Sequence, residues 1–209
     1  MKFADLSVRD FIAALGAGTP TPGGGSAAAL CGALGSALAA MVAGLTLGKE
    51  RYRDGWATME EVRRAADELG RRFLDLVQED ADAYQGVLAS LRLPKATDEE
   101  KASRQTALQD ALKRAASVPL ESLRASERLA HLAKTAVEKG NPSALTDAGA
   151  ALHLARAAAA IAAANVKVNL ADIVDDQFVA ECMRELEERV RQAEALVETG
   201  NGFVNSLPP

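Results

Sequence analysis

Apolar residues recur at helical spacing along almost the whole chain. Val8, Phe11, Ile12 and Leu15 share one face of a short predicted helix, with Ser7 placed to cap its start and Gly16 and Gly18 to end it. A loop of Pro, Thr and Gly follows, and then Ala27 to Leu47, a predicted helix without a single charge. Ala28, Gly32, Ser36, Ala40 and Gly44 lie four apart on it, forming a ridge of small side chains that lets another backbone come close. Its other side carries Leu30, Leu34, Leu38, Met41 and Leu45. A helix apolar on both sides is expected to be buried all round, as the centre of a bundle or the seam of an oligomer.

From Trp56 the pattern becomes amphipathic, with Met59, Val62, Ala66, Leu69, Phe73, Leu76, Val77, Tyr84 and Leu88 on the inward stripe of a long helix that ends at Leu91. Thr97 and Glu100 have the spacing of a capping box, and the helix they open reaches about Ser117. Pro119 either starts a new helix or kinks a continuous one. Helix resumes to Lys139 and is stopped by Gly140-Asn141-Pro142. Ser143 can then cap an Ala-rich helix running through Asn169, the acids from Asp172 to Asp176 mark a break, and Val179 to Val197 form a last helix ending before Gly200. Neither a repeat nor a low-complexity linker divides the chain, so residues 1–209 are expected to form one domain.

Composition supports the same architecture. Ala and Leu dominate the apolar content and aromatic residues make up only 4%, which suits packed helices: an all-α, single-domain bundle around a buried small-residue helix. The net charge of −5 is spread among both signs, which argues against a nucleic-acid surface. The uncharged stretch is long enough to span a bilayer, but it is mostly Ala and Gly and is followed by charged amphipathic helices, as in the core of a soluble bundle. No membrane partner is expected. Asp5 falls where a signal peptide would have its apolar core, so the expected location is cytoplasmic. Cys31 and Cys182 are far apart and the two histidines, His131 and His153, form no cluster with them, so no metal site is expected.

Two segments could carry chemistry. Pro22-Gly23-Gly24-Gly25-Ser26 precedes a helix, so its glycines can turn the chain and present free N–H groups at the positive helix end, a site for an anion or polar group; the bland alternative is a turn that starts a buried helix. It lacks the Lys and the preceding strand of a nucleotide-binding loop. In the second segment, Asn165 and Asn169 share a helix face, and Asp147, eighteen residues before Asn165, points the same way if the helix is continuous. Two amides and an acid among alanines are costly to bury without partners or a ligand, although they could simply tie helices together or stabilise a helix start. Asp75, Glu79, Asp80 and Asp82 read as a solvated face, within which Asp80 and Tyr84, four apart, are the pair to follow.

In these residues the chain resembles the cyclodeaminase/cyclohydrolase family, which comprises the C-terminal half of formiminotransferase-cyclodeaminase and stand-alone methenyltetrahydrofolate cyclohydrolases. The resemblance spans nearly the whole chain and rests on Phe11 to Leu15, Thr21-Pro22-Gly23-Gly24-Gly25-Ser26, Leu93-Pro94, Val118-Pro119-Leu120, and Asp147 with Asn165-Val166-Lys167-Val168-Asn169. It implies an all-helical homodimer that interconverts 5,10-methenyltetrahydrofolate with its 5-formimino or 10-formyl form. Tetrahydrofolate derivatives are then the ligands, and no cofactor beyond the folate substrate is expected because no electrons move. On this reading Asp147 shuttles the proton, Asn165 and Asn169 orient the pterin or developing amine, and Pro22 to Ser26 bind substrate. The expected lack of a formiminotransferase half before Met1 departs from the fused form and bears against the deaminase substrate, while both candidate reactions share 5,10-methenyltetrahydrofolate. The competing expectation is a non-catalytic helical scaffold or regulatory dimer.

Overall fold

A computed structural model describes residues 2–204, and its described residues form six α-helices and no strand. These are α1 (Val8–Leu15), α2 (Gly24–Thr46), α3 (Trp56–Leu91), α4 (Asp98–Lys139), α5 (Leu145–Leu170) and α6 (Asp176–Val204). α2 packs against α3 and α5, and α4 packs against α3, α5 and α6, giving an all-α bundle. By length and hydropathy both α2 and the stretch Pro142–Leu170 could cross a bilayer, yet 44% and 50% of their most apolar windows are buried against other helices.

Several boundaries follow directly from local chemistry. The Ser7 hydroxyl accepts from the Asp10 N–H at the start of α1, and Thr97 and Glu100 form the reciprocal capping box of α4. Three expectations are corrected. α4 runs unbroken through Pro119 rather than ending near Ser117. Ser143 does not cap α5, which starts after Ala144 without a side-chain cap; Asn141 instead caps a 3-10 turn at Pro142–Ala144, its side chain accepting from the Ser143 N–H. α6 continues past Gly200, whose missing side chain admits Leu152; a Cβ there would lie 2.4 Å from Leu152 Cδ1.

The small-residue ridge of α2 works as a close-packing surface. Ala28, Gly32 and Ser36 are buried, and a Cβ on Gly32 would come within 2.3 Å of the Phe73 ring. Gly44 at the end of the ridge is exposed, and a Cβ there would meet open space. The leucine side is not covered: Leu34, Met41 and Leu45 are 52%, 41% and 43% exposed. Within one chain α2 is therefore buried on one side only.

α6 is joined to α4 by charge. Arg124 grips Glu185 with two hydrogen bonds of 2.7 and 2.6 Å, and Arg189 bridges Glu185 to the buried Glu127. These bonds, Arg124 first, hold the Glu185 carboxyl at about 2, well below its ordinary value. Because the folded carboxyl is the stronger acid, its stabilisation is complete above the unfolded carboxylate range and disappears as pH falls from about 4.5 towards 2. Allowing for solvent screening at these half-exposed groups, the contribution is about 1–2 kcal/mol. Arg124→Gln is expected to flatten the dependence of melting temperature on pH in that window. An unchanged slope between pH 5 and 2 would show that the pair contributes nothing.

Candidate functional site

The end of the bundle where α2 begins and α5 finishes holds a cleft of about 220 Å3, lined by Pro20, Thr21, Gly23, Gly24, Gly25, Asp80, Ala83, Tyr84, Val87, Leu112, Ala115, Asn165 and Asn169. Its volume is below the roughly 300–1,000 Å3 that encloses a drug-sized ligand, so it accommodates the reacting end of such a molecule and leaves the remainder outside. Four helices contribute: α2 its N-terminus, α3 Asp80 and Tyr84 with part of an apolar wall that α4 completes, and α5 two amides.

Asp80 dominates the chemistry. It is the only carboxylate among the lining residues, and α3 aims it inward against the first turn of α2. The Ser26 hydroxyl donates to Asp80 Oδ2 at 2.9 Å and lies 3.1 Å from the Val77 carbonyl, while the Ser26 N–H also bonds the carboxylate. Gly25 is obligatory for this approach, because a Cβ there would sit 2.0 Å from Asp80 Oδ1. Burial raises the Asp80 carboxyl above its ordinary value, and the two Ser26 hydrogen bonds partly oppose that shift. A carboxyl with a raised pKa exchanges protons more readily near neutral pH than an exposed one.

The asparagines are each fixed by one backbone carbonyl. Asn165 Nδ2 donates to Ile161 O at 2.8 Å, one turn back on α5, and Asn169 Nδ2 reaches across to Ala115 O on α4 at 2.6 Å. Each amide keeps a second N–H and its Oδ1 for the cleft. Both residues that interrupt the Ala-rich face line the site, and Asn169 also ties α5 to α4.

The sequence-based candidates divide accordingly. Gly23, Gly24, Gly25, Asn165 and Asn169 come together in the cleft. Pro22 and Ser26 are buried behind its wall, so Ser26 acts on Asp80 and not on a ligand. Asp147 does not line this cleft. It lies in the first turn of α5, and the eighteen residues to Asn165 span about 27 Å of helix, so within one chain the two cannot act on the same small group. Its place beside the positive end of α5 suits a helix-stabilising acid. Asp80, expected on a solvated face, instead continues the inward stripe of Phe73, Leu76 and Val77 and is half-buried. An acid in that stripe, one turn from Tyr84, was the available signal.

Two of the larger depressions carry less. The cleft among α3, α4 and α6 is lined by Arg72, Glu121, Arg124, Arg128 and Arg189, of which Arg72, Arg124 and Arg189 are engaged by glutamates. The groove between α5 and α6 has an alanine floor and a rim of mixed charge. Among the described residues, no group of three or more His, Cys, Asp or Glu is arranged to hold a metal ion.

Comparison with known proteins gives a consistent pattern. A family model described as formiminotransferase-cyclodeaminase matches residues 7–188. Methenyltetrahydrofolate cyclohydrolase of Methylorubrum extorquens is 40% identical over 192 residues, covering 92% of each chain. Formimidoyltransferase-cyclodeaminase of Rattus norvegicus is 33% identical over 90% of this chain, which spans 35% of that longer protein. The crystal structure of formiminotetrahydrofolate cyclodeaminase from Thermotoga maritima superposes with a TM-score of 0.87 at 32% identity, covering 96% of both chains.

Proposed function

The chain belongs to the formiminotransferase-cyclodeaminase family, and from this we infer that the cleft around Asp80 is its folate active site. The protein is a folate one-carbon enzyme, a cyclodeaminase or cyclohydrolase that interconverts 5,10-methenyltetrahydrofolate with an open-chain form. The observation that carries the site assignment is one half-buried carboxylate, the only one among the lining residues, sharing a cleft with two amides that backbone carbonyls hold in place.

Both reactions need what this arrangement offers. In hydrolysis, water adds to the cationic methenyl carbon as Asp80 takes one of its protons; Asp80 then gives that proton to N5 as the carbon–N5 bond breaks, and the carbinol O–H loses its remaining proton through Asp80 to solvent, leaving the formyl group on N10. In cyclodeamination, N10 attacks the formimino carbon, loses its proton to Asp80, and that proton leaves on the departing ammonia. Each tetrahedral carbon is neutralised by one acid–base group acting twice. Asn165 and Asn169 present acceptors and donors to the polar edge of the pterin, and the free N–H groups at the start of α2 face the developing oxygen or nitrogen. A spectrophotometric assay of 5,10-methenyltetrahydrofolate, run in both directions with and without ammonia, separates the two activities. No turnover in either would refute the enzymatic reading.

The same reading includes a homodimer in the cytoplasm, without membrane or nucleic-acid partners and without a cofactor beyond the folate. Support for the second copy comes from α2, whose exposed Leu34, Met41 and Leu45 lie on a helix with no charged residue, and a self-complementary apolar face suits a two-fold contact. Leu34→Glu with Met41→Glu is expected to convert the dimer to monomer in sedimentation equilibrium. A wild-type chain that sediments as a monomer at micromolar concentration would remove this proposal.

A further inference from the structure

Pro119 lies inside α4, where it breaks no helix, and its neighbours Ala116 and Leu120 pack in the core with Ala162, Ala163 and Val166 of α5. A residue at that position would ordinarily close the helical hydrogen bond to the carbonyl four residues earlier, which is Ala115. Proline has no N–H to give, and its ring crowds that carbonyl. A buried acceptor left in this way must find another donor. The donor is Asn169: its Nδ2 lies 2.6 Å from Ala115 O, and both residues line the cleft beside Asp80.

We propose that Pro119 is a positioning residue of the site: by withholding one backbone hydrogen from α4 it leaves the Ala115 carbonyl to hold the Asn169 amide in its working orientation. The catalytic part of this proposal rests on the folate reading above, whereas the hydrogen-bond part does not. The chain of cause runs from a ring on one helix, through a carbonyl one turn away, to an amide on the neighbouring helix. Without that anchor the Asn169 side chain would be free to rotate, since the only hydrogen bond it makes among the described residues is this one.

Pro119→Ala restores the missing N–H and gives Asn169 a competitor for the carbonyl. Stability and function should then move in opposite directions. Alanine is far better than proline in a helix interior, so the melting temperature should hold or rise. KM for 5,10-methenyltetrahydrofolate should increase roughly tenfold, the worth of one orienting hydrogen bond. Asn169→Ala should produce a similar loss, and the double variant should be no worse than Asn169→Ala alone. Nuclear magnetic resonance of the unliganded protein gives a readout independent of folate chemistry: the Asn169 side-chain amide should show one slowly exchanging, shifted proton in the wild type that is lost in Pro119→Ala. An unchanged Asn169 signal, or losses in the two single variants that add in the double, would overturn the proposal. Absence of folate turnover by the wild type would refute the functional reading and leave the resonance test of the hydrogen bond standing.

Discussion

Asp80→Asn is expected to lower kcat by about two to four powers of ten in whichever folate reaction the wild type performs, with a much smaller change in folate affinity. The amide nearly preserves the size of the carboxylate and can still accept from the Ser26 hydroxyl, so the packing of α2 on α3 should survive. What it cannot do is carry a proton between the attacking and leaving groups. Asp147→Asn provides the contrast: a change at the far end of α5 should leave kcat nearly unaltered and cost at most about 0.3–1 kcal/mol of stability through the helix dipole. The acid limb of the wild-type pH–rate profile should also fall at a higher pH than for an ordinary carboxylate, because burial raises the Asp80 carboxyl. Near-normal turnover in Asp80→Asn would transfer the proton shuttle to another group.

The largest effect on stability is expected at Phe73, which is fully buried and packs its ring against Gly32. Phe73→Ala should cost about 3–5 kcal/mol through lost burial and the cavity that remains. Gly32→Ala alone should also destabilise, since its new Cβ would overlap the ring at 2.3 Å. Combined with Phe73→Ala, however, the same alanine faces open space and gains in helix propensity, so the double variant should be more stable than the sum of the single changes predicts. Denaturant unfolding of the four proteins measures this coupling. Strict additivity would mean that Gly32 does not owe its identity to Phe73.

The architecture was readable because helix signals are local. Periodicity, the Thr97–Glu100 box and the Gly140-Asn141-Pro142 stop all act within a few residues, and the structure keeps them. Pro119 and Gly200 were harder because each has a helical position sanctioned by a distant partner: Asn169 takes the carbonyl freed by Pro119, and Leu152 fills the space that Gly200 leaves. The site shows the same division. The glycines and both asparagines could be picked out from local chemistry, and they meet in the cleft. Asp147 shares their helical direction, but phase along a helix says which way a side chain points and nothing of which end of the bundle it occupies. Finding Asp80 required the register of α3 against α2, which brings residues 54 apart into a 2.9 Å hydrogen bond.

Amide hydrogen exchange with and without a stable folate such as 5-formyltetrahydrofolate tests most directly whether the reaction belongs in this cleft. Ligand-induced protection should appear at residues 20–26 leading into α2, at 80–87 of α3 and at 165–169 of α5, while the first turns of α5 around Asp147 exchange as before. Protection centred on 144–153, or among the arginines between α4 and α6, with none at Asp80, would contradict the assignment.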